Sequence, residues 1–353
     1  MPAERATVMV PKFRQWPVGW RFPSLSVAFP VRKALLLWVL FFLICFGLGY
    51  PILNRYDPGK IPGLSDAAGY CDEVKNPLSV FSYRPLVPAL AKPFYWMAEG
   101  HISTWNPALF GMLVSTSILT AATAVIIIAI GLRCGFSYVT SLVGALLFLV
   151  SFAVPNWNLA AYIDSGEALF LALVAWSLLS ARWYFLPLWA IPGSLSKETF
   201  APFAFVFAIV WCLADRPLRL GRLLWVFALG FLACIGVLMS FSPSGGFFSG
   251  ALHYSASMAE YHNVGFFHAL LRCLRAREFW YTFIWLLPLG LLRLNRLDRR
   301  WIWAAAATFL LALTFGAYND ALGNTARALF NISGPLLSLS AAVFLTNRRP
   351  QPA

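Results

Sequence analysis

The stretch "ALLLWVLFFLICFGLGY", residues 34–50, carries no charged side chain. A helix needs about 20 such residues to cross the ~30 Å hydrocarbon layer of a bilayer. Comparable runs recur to the end of the chain, and a water-soluble core has no use for so many. Composition agrees: the 353 residues are 60% hydrophobic and 12% charged, against about 25% charged in an ordinary soluble domain. Backbone groups in hydrocarbon must be satisfied internally, which leaves closed barrels or helices. Unbroken apolar runs, rather than alternation, select helices.

The expected fold is therefore an all-α polytopic transmembrane bundle of about ten spans. They are placed near 34–52, 107–131, 136–154, 166–181, 183–194, 199–214, 221–241, 279–293, 301–317 and 328–346. Residues 1–33 read as a basic, proline-broken N-terminal segment at the inner membrane surface, 34–346 as the membrane domain and 347–353 as a short inner tail. No signal peptide is expected, because the first apolar run begins only after some thirty residues and no small-residue cleavage site follows it.

Charge orients the bundle. With the N-terminus inside, the inner segments are short and basic, including Arg133, Arg182, Arg216, Arg219, Arg222, Arg293, Arg296, Arg299 and Arg300. Of the 14 acids only Glu4, Asp215 and Asp298 fall inside, and all four histidines fall outside. This is the positive-inside pattern. The formal net charge of +13 is then a topology signal and argues little for nucleic acid. Chemistry is expected on the outer face.

Two outer loops are long, the first (53–106) and the fourth (242–278). Each holds an apolar stretch suited to an interfacial helix, near 85–100 and 266–277. Six cysteines show no metal-type spacing. Cys71 and Cys273 both fall in outer loops, where they can pair or stay as two unrelated thiols.

Several polar groups stand out. "LSDAAGYCDEV" (64–74) carries Asp66, Asp72 and Glu73, suited to a base, a cation or a solvated turn. Arg84 precedes the first interfacial stretch, where it can bind phosphate or anchor the interface. Asp164 and Glu167 lie three apart at the head of a span, on one helix face, with Ser165 as a possible cap. "GSLSKETFAPF" (193–203) sets Lys197 and Glu198 between two apolar segments. Ser196 can cap the helix that follows, with Glu198 in its first turn, but Lys197 then sits at the unfavourable end of the helix dipole. Counting back at 1.5 Å per residue puts the pair roughly 22 Å from Arg182 and roughly 27 Å from Asp215, at or slightly below the outer membrane surface. "YNDALGNTARALF" (318–330) holds Asp320 and Arg327. An Arg near a helix N-terminus needs an acid or an anionic ligand. His262, His253 and His268 lack compact ligand spacing. No GxSxG, HExxH, P-loop or dinucleotide fingerprint is present.

Taken in order, these pieces resemble the GT-C superfamily of polytopic glycosyltransferases. The pieces are Asp66 and Tyr70 in a long outer loop, "YRPLVP" (83–88) before an interfacial helix, the Lys197–Glu198 pair at a mid-chain span, and Arg327 in a late span that contains Pro335. The resemblance covers about 34–346. "CDE" (71–73) stands where a paired-Asp signature would be expected. The resemblance implies a transferase that moves sugar from a polyprenyl-phosphate donor to a glycan, lipid or protein acceptor on the outer, periplasmic face. The compact chain with basic inner loops points to a bacterial inner membrane, with a eukaryotic organelle as the alternative. It implies a catalytic acid in the first outer loop, Asp66 or, second, Asp57. Arg84, Lys197 and Arg327 would meet the lipid phosphate, with Glu198, Asp164 and Asp320 orienting groups around it. The reading fixes no cofactor and leaves open a divalent cation, with Asp72, Glu73 and His262 as its candidate ligands. Three other readings stay open: an O-antigen ligase or polymerase resting on Arg272, Arg275, Arg277 and His262, a transporter for an anionic lipid or solute, and a non-catalytic membrane protein.

Overall fold

The computed structural model describes residues 30–55, 65–76, 84–102, 105–215, 218–241, 265–318 and 322–346. Among them the regular structure is helical throughout, without a strand. The N-terminal segment up to residue 29, most of the fourth outer loop, the tail, and Asp57, His253, His262 and Asp320 lie outside the described residues.

In chain order the helices are α1 Val31–Arg55, α2 Ser65–Lys75, α3 Leu86–Ala98, α4 Pro107–Arg133, α5 Tyr138–Leu149, α6 Asp164–Leu179, α7 Leu186–Ser196, α8 Phe200–Ala214, α9 Leu220–Phe241, α10 Phe266–Arg275, α11 Arg277–Phe283, α12 Leu286–Leu292, α13 Arg299–Tyr318 and α14 Leu322–Thr346. Five of them, α1, α4, α9, α13 and α14, are long and apolar enough to cross a membrane, and α5 and α8 are shorter apolar helices. Several long apolar helices in one bundle mark a membrane protein.

Burial separates inner from outer helices. In their apolar windows α14 is 89% and α4 72% buried, against 17% for α1. α14 packs on α5, α6, α11, α12 and α13, and α4 on α1, α3, α5 and α6. α1 buries a seam of Phe41, Cys45 and Leu53, while Leu35, Leu36, Val39, Leu40 and Leu43 are exposed. An apolar helix that exposes leucines along its length is suited to lipid.

Local sequence explains the boundaries. Asn106 caps α4 by accepting from the Ala108 N–H, with Pro107 at the first helical position, where its missing N–H is no loss. Ser137 caps α5 through the Thr140 N–H. The expected span 136–154 ends early, at Leu149. The chain then makes a π-helical turn, Val154–Asn158, and Ala161 takes a left-handed φ of 61°. The expected span 279–293 is likewise broken into α11 and α12 around Ile284 and Trp285. The stretches at 85–100 and 266–277 do form helices, α3 and α10. On α10 the small residues Ala269 and Cys273 are buried while Phe267, Leu271, His268, Arg272 and Arg275 are exposed. Cys71 and Cys273 are both free and buried. Burial pushes the Cys71 thiol up to about 12, so it is an inert packing residue.

The polar ends of the bundle differ. Where α8 ends, Asp215 accepts from Arg222 and, at 2.9 Å, from Arg300, which also pairs with Asp298 at 2.6 Å. Arg300 lies over Trp211 and Arg222 over Trp183. At the other end of α8 stand Lys197 and Glu198.

One close approach fixes that second end. A Cβ on Gly166 would lie 2.7 Å from the Ser196 Cβ and 3.3 Å from Val87. The first turn of α6 therefore sits directly against the last turn of α7 and the start of α3. Gly166→Ala is expected to force these helices apart and destabilise the protein by about 1–3 kcal/mol, read as thermal unfolding in detergent. Gly47→Ala, where an added Cβ meets nothing within 4 Å, is the matched control and should show no loss.

Candidate functional site

The first turn of α6 carries Asp164 and Glu167, and both face Lys197. The Lys197 Nζ donates to Asp164 Oδ1 at 2.8 Å and to Glu167 Oε2 at 3.1 Å. The acids are 1% and 0% exposed and Lys197 is 7% exposed. A lysine buried this deeply stays charged only beside carboxylates. Glu167 is held further by the Thr199 hydroxyl at 2.5 Å and by Asn331 Nδ2 at 2.8 Å. The last contact brings in α14.

Four residues before Asn331 on α14, and so on the same face, is Arg327. Its Nη1 donates to Asp164 Oδ2 at 3.3 Å, and its Nη2 lies 3.7 Å from Asp66 Oδ2. Its guanidinium carbon is 4.5 Å from the centre of the Tyr162 ring. Tyr162 reaches that place through the left-handed Ala161, which turns the chain into α6. Such strain persists where surrounding contacts enforce it.

Arg84, just before α3, completes the cluster. Its Nε and Nη2 donate to the two carboxylate oxygens of Glu198 at 2.7 and 2.5 Å, a bidentate fork. Its Nη1 donates to the Tyr70 hydroxyl at 2.5 Å. Tyr70 stands four residues after Asp66 on α2. Five segments distant in sequence thus converge: α2, the start of α3, the head of α6 with Tyr162 just before it, the α7–α8 junction, and α14.

Asp66, Arg84, Asp164, Lys197, Glu198 and Arg327, all expected at a site, are brought together. Asp72 is exposed on α2 and Glu73 is buried, and neither pairs with the cluster. Among the described residues no group of three or more His, Cys, Asp or Glu side chains could hold a metal ion. Three local expectations are corrected. Ser196 does not cap α8. It is the last residue of α7 and its hydroxyl donates to the Gly193 carbonyl at 2.6 Å, because α7 continues one turn past Pro192. Lys197 is consequently at the C-terminal end of α7, where the helix dipole favours a cation, rather than inside the start of α8. Ser165 lies within α6 and its buried hydroxyl makes no hydrogen bond among the described residues, so it is no cap.

Tyr162, Thr199 and Asn331 have no place in the sequence-based expectations, Tyr70 enters there only as a motif partner of Asp66, and Glu167 only as a helix-face neighbour of Asp164. Spacing offered two further signals: Tyr70 is four residues from Asp66, and Asn331 four from Arg327. Tyr162 and Thr199 had none.

Among the described residues four carboxylates (Asp66, Asp164, Glu167, Glu198) face three cations (Arg84, Lys197, Arg327). The pairs are not equally tight. Asp66 has the longest contact, and its side chain is 35% exposed, against 1% for Asp164 and 10% for Glu198. Such a cluster can hold helices together, bind an anion by exchange for one carboxylate, or supply that carboxylate as a base.

Comparison with protein-family models, curated proteins and solved structures found no match for this chain. The site is therefore read from its own geometry.

Lys197→Met is expected to leave buried Glu167 with no cation among the described residues, and Asp164 with only its 3.3 Å contact to Arg327. It should lower stability by about 3–5 kcal/mol, measured by denaturant unfolding in detergent. A change below about 1 kcal/mol would show that the lysine does not hold the cluster.

Proposed function

We propose that the protein is a membrane glycosyltransferase of GT-C type, moving a sugar from a polyprenyl-phosphate donor to an acceptor hydroxyl on the outer face of a bacterial inner membrane. One observation carries the reading: a cluster that among the described residues holds three cations and four carboxylates at one end of an apolar bundle, in which Asp66 is the loosely held, partly exposed acid. Intramembrane and membrane-edge charges are costly to keep, and function is the first hypothesis for them. The bundle is taken to have about ten spans, N-terminus inside, with α3 and α10 as interfacial helices.

In this mechanism the donor phosphate arrives at the membrane surface and competes with Asp66 for Arg327. Arg84, fixed by Glu198 and Tyr70, offers a second guanidinium whose geometry suits phosphate. The phosphate draws Arg327 from Asp66 and frees that carboxylate. Asp66 then takes the proton from the acceptor hydroxyl as its oxygen bonds to the anomeric carbon. The bond from that carbon to the phosphate oxygen breaks, and its electron pair leaves on the lipid phosphate, where the two arginines stabilise the developing charge. Lys197, enclosed by Asp164 and Glu167, positions these acids and is not itself a phosphate ligand. No step calls for a metal.

The test is sugar release from a polyprenyl-phosphate sugar by protein reconstituted in vesicles. Asp66→Asn should lower turnover by about 10²- to 10⁴-fold, the usual contribution of a general base, while the protein stays folded. Turnover equal to wild type would remove Asp66 from the chemistry. Absence of release by the wild type across a panel of lipid-linked sugars would sink the transferase reading and leave the cluster as a clasp between helices.

A further inference from the structure

One buried acid on α2 takes no part in these ion pairs. Glu73 is 5% exposed and its Oε2 has no hydrogen-bond partner among the described residues. It lies seven residues after Asp66 and three after Tyr70, so all three share one face of α2. On that face Asp66 meets Arg327 and Tyr70 meets Arg84. Ala67, Tyr70, Cys71 and Val74 are buried alongside Glu73, and the helix packs on α3 and α4. A bare carboxylate has no place there. It would be shielded from solvent, lack a donor at one oxygen among the described residues, and add a further negative charge close to the described carboxylates.

Few charges reach it. Asp72 and Lys75 on α2 itself are exposed. On α3 the Lys92 ammonium lies over Trp96, and the charged residue of α4, Arg133, is at that helix's far end. Among the described residues Arg84 exerts the field on Glu73 that favours ionisation, and burial outweighs it.

We propose that Glu73 is a positioning residue that works as an uncharged carboxylic acid, keeping α2 docked so that Tyr70 stays on Arg84 and Asp66 stays beside Arg327. Its effect on turnover rests on the transferase reading, whereas its effect on α2 does not. Burial pushes the carboxyl up to about 8. The sign follows from linkage. Between the ordinary carboxyl range and about 8 the folded state binds a proton that the unfolded state does not, so stability falls as pH rises through that window. Above it the charge must be carried in place, and α2 loosens. The site is thereby predicted to be tuned by pH from a residue that touches no substrate.

The experiment is amide hydrogen exchange of α2 in the full-length protein in lipid nanodiscs, wild type and Glu73→Gln, with rates corrected for intrinsic base catalysis. Protection of α2 in the wild type should fall several-fold between about pH 7 and about pH 9 as Glu73 ionises, and Glu73→Gln, which cannot ionise, should keep it. The same pH dependence in both proteins overturns the proposal. If the variant does not fold, infrared spectroscopy of the wild type decides alone: a protonated buried carboxyl band at neutral pH that vanishes on alkalinisation supports the proposal, and its absence overturns it. Sugar release measured on the same samples separates the two claims. No release at any pH, with the exchange and infrared results as expected, defeats the transferase reading and leaves the role of Glu73 standing.

Discussion

A lysine ammonium enclosed by apolar helices holds its charge only where carboxylates come to it, and that requirement organises this protein. Lys197 is 7% exposed between α7 and α8. Its two partners come from the first turn of α6, which reaches it because Gly166 allows helix-to-helix contact at Ser196. The partners recruit others in turn. Glu167 takes Asn331 and Asp164 takes Arg327, both from the most buried helix, α14. Arg327 then reaches Asp66 on α2. Removing the lysine would leave Glu167 with no cation among the described residues and Asp164 with only the longer contact to Arg327.

The same pairing shapes what the site can do. A cluster with surplus positive charge would bind any anion, whereas here each described cation already faces a carboxylate, and an anion must displace one. The tight pairs, Arg84 with Glu198 and Lys197 with Asp164, are fixed supports. The contact of Asp66 with Arg327, at 3.7 Å, is the one built to yield. A phosphate that takes the arginine would leave a free carboxylate beside it, so that binding and base activation become one event.

Much of this was legible in sequence, for physical reasons that differ by element. Unbroken apolar runs predict helices because hydrocarbon leaves the backbone few alternatives, and α1, α4, α9, α13 and α14 lie where those runs lie. Asp164 and Glu167 were visible as a pair because helix periodicity is local. Lys197 drew attention because an ammonium between apolar segments needs a partner. Which partner was not legible, since the pairing spans more than thirty residues and depends on how α6 packs against α7. Helix ends were misread where tertiary contact overrides local preference. Pro192 and Gly193 look like a stop, yet α7 runs on to Ser196. The apolar stretch past Leu149 looks like a continuing span, yet it turns through Ala161 to deliver Tyr162 beneath Arg327.

The central claim is that these charges form one connected unit running Asp66–Arg327–Asp164–Lys197–Glu167. Its most direct test is a double-mutant cycle between the two ends, Asp66→Asn and Glu167→Gln, scored by reversible unfolding in detergent. The two side chains share no direct contact, so independent sites would give additive effects within about 0.3–0.5 kcal/mol. A connected unit predicts a coupling above about 0.5 kcal/mol. Strict additivity would contradict the account.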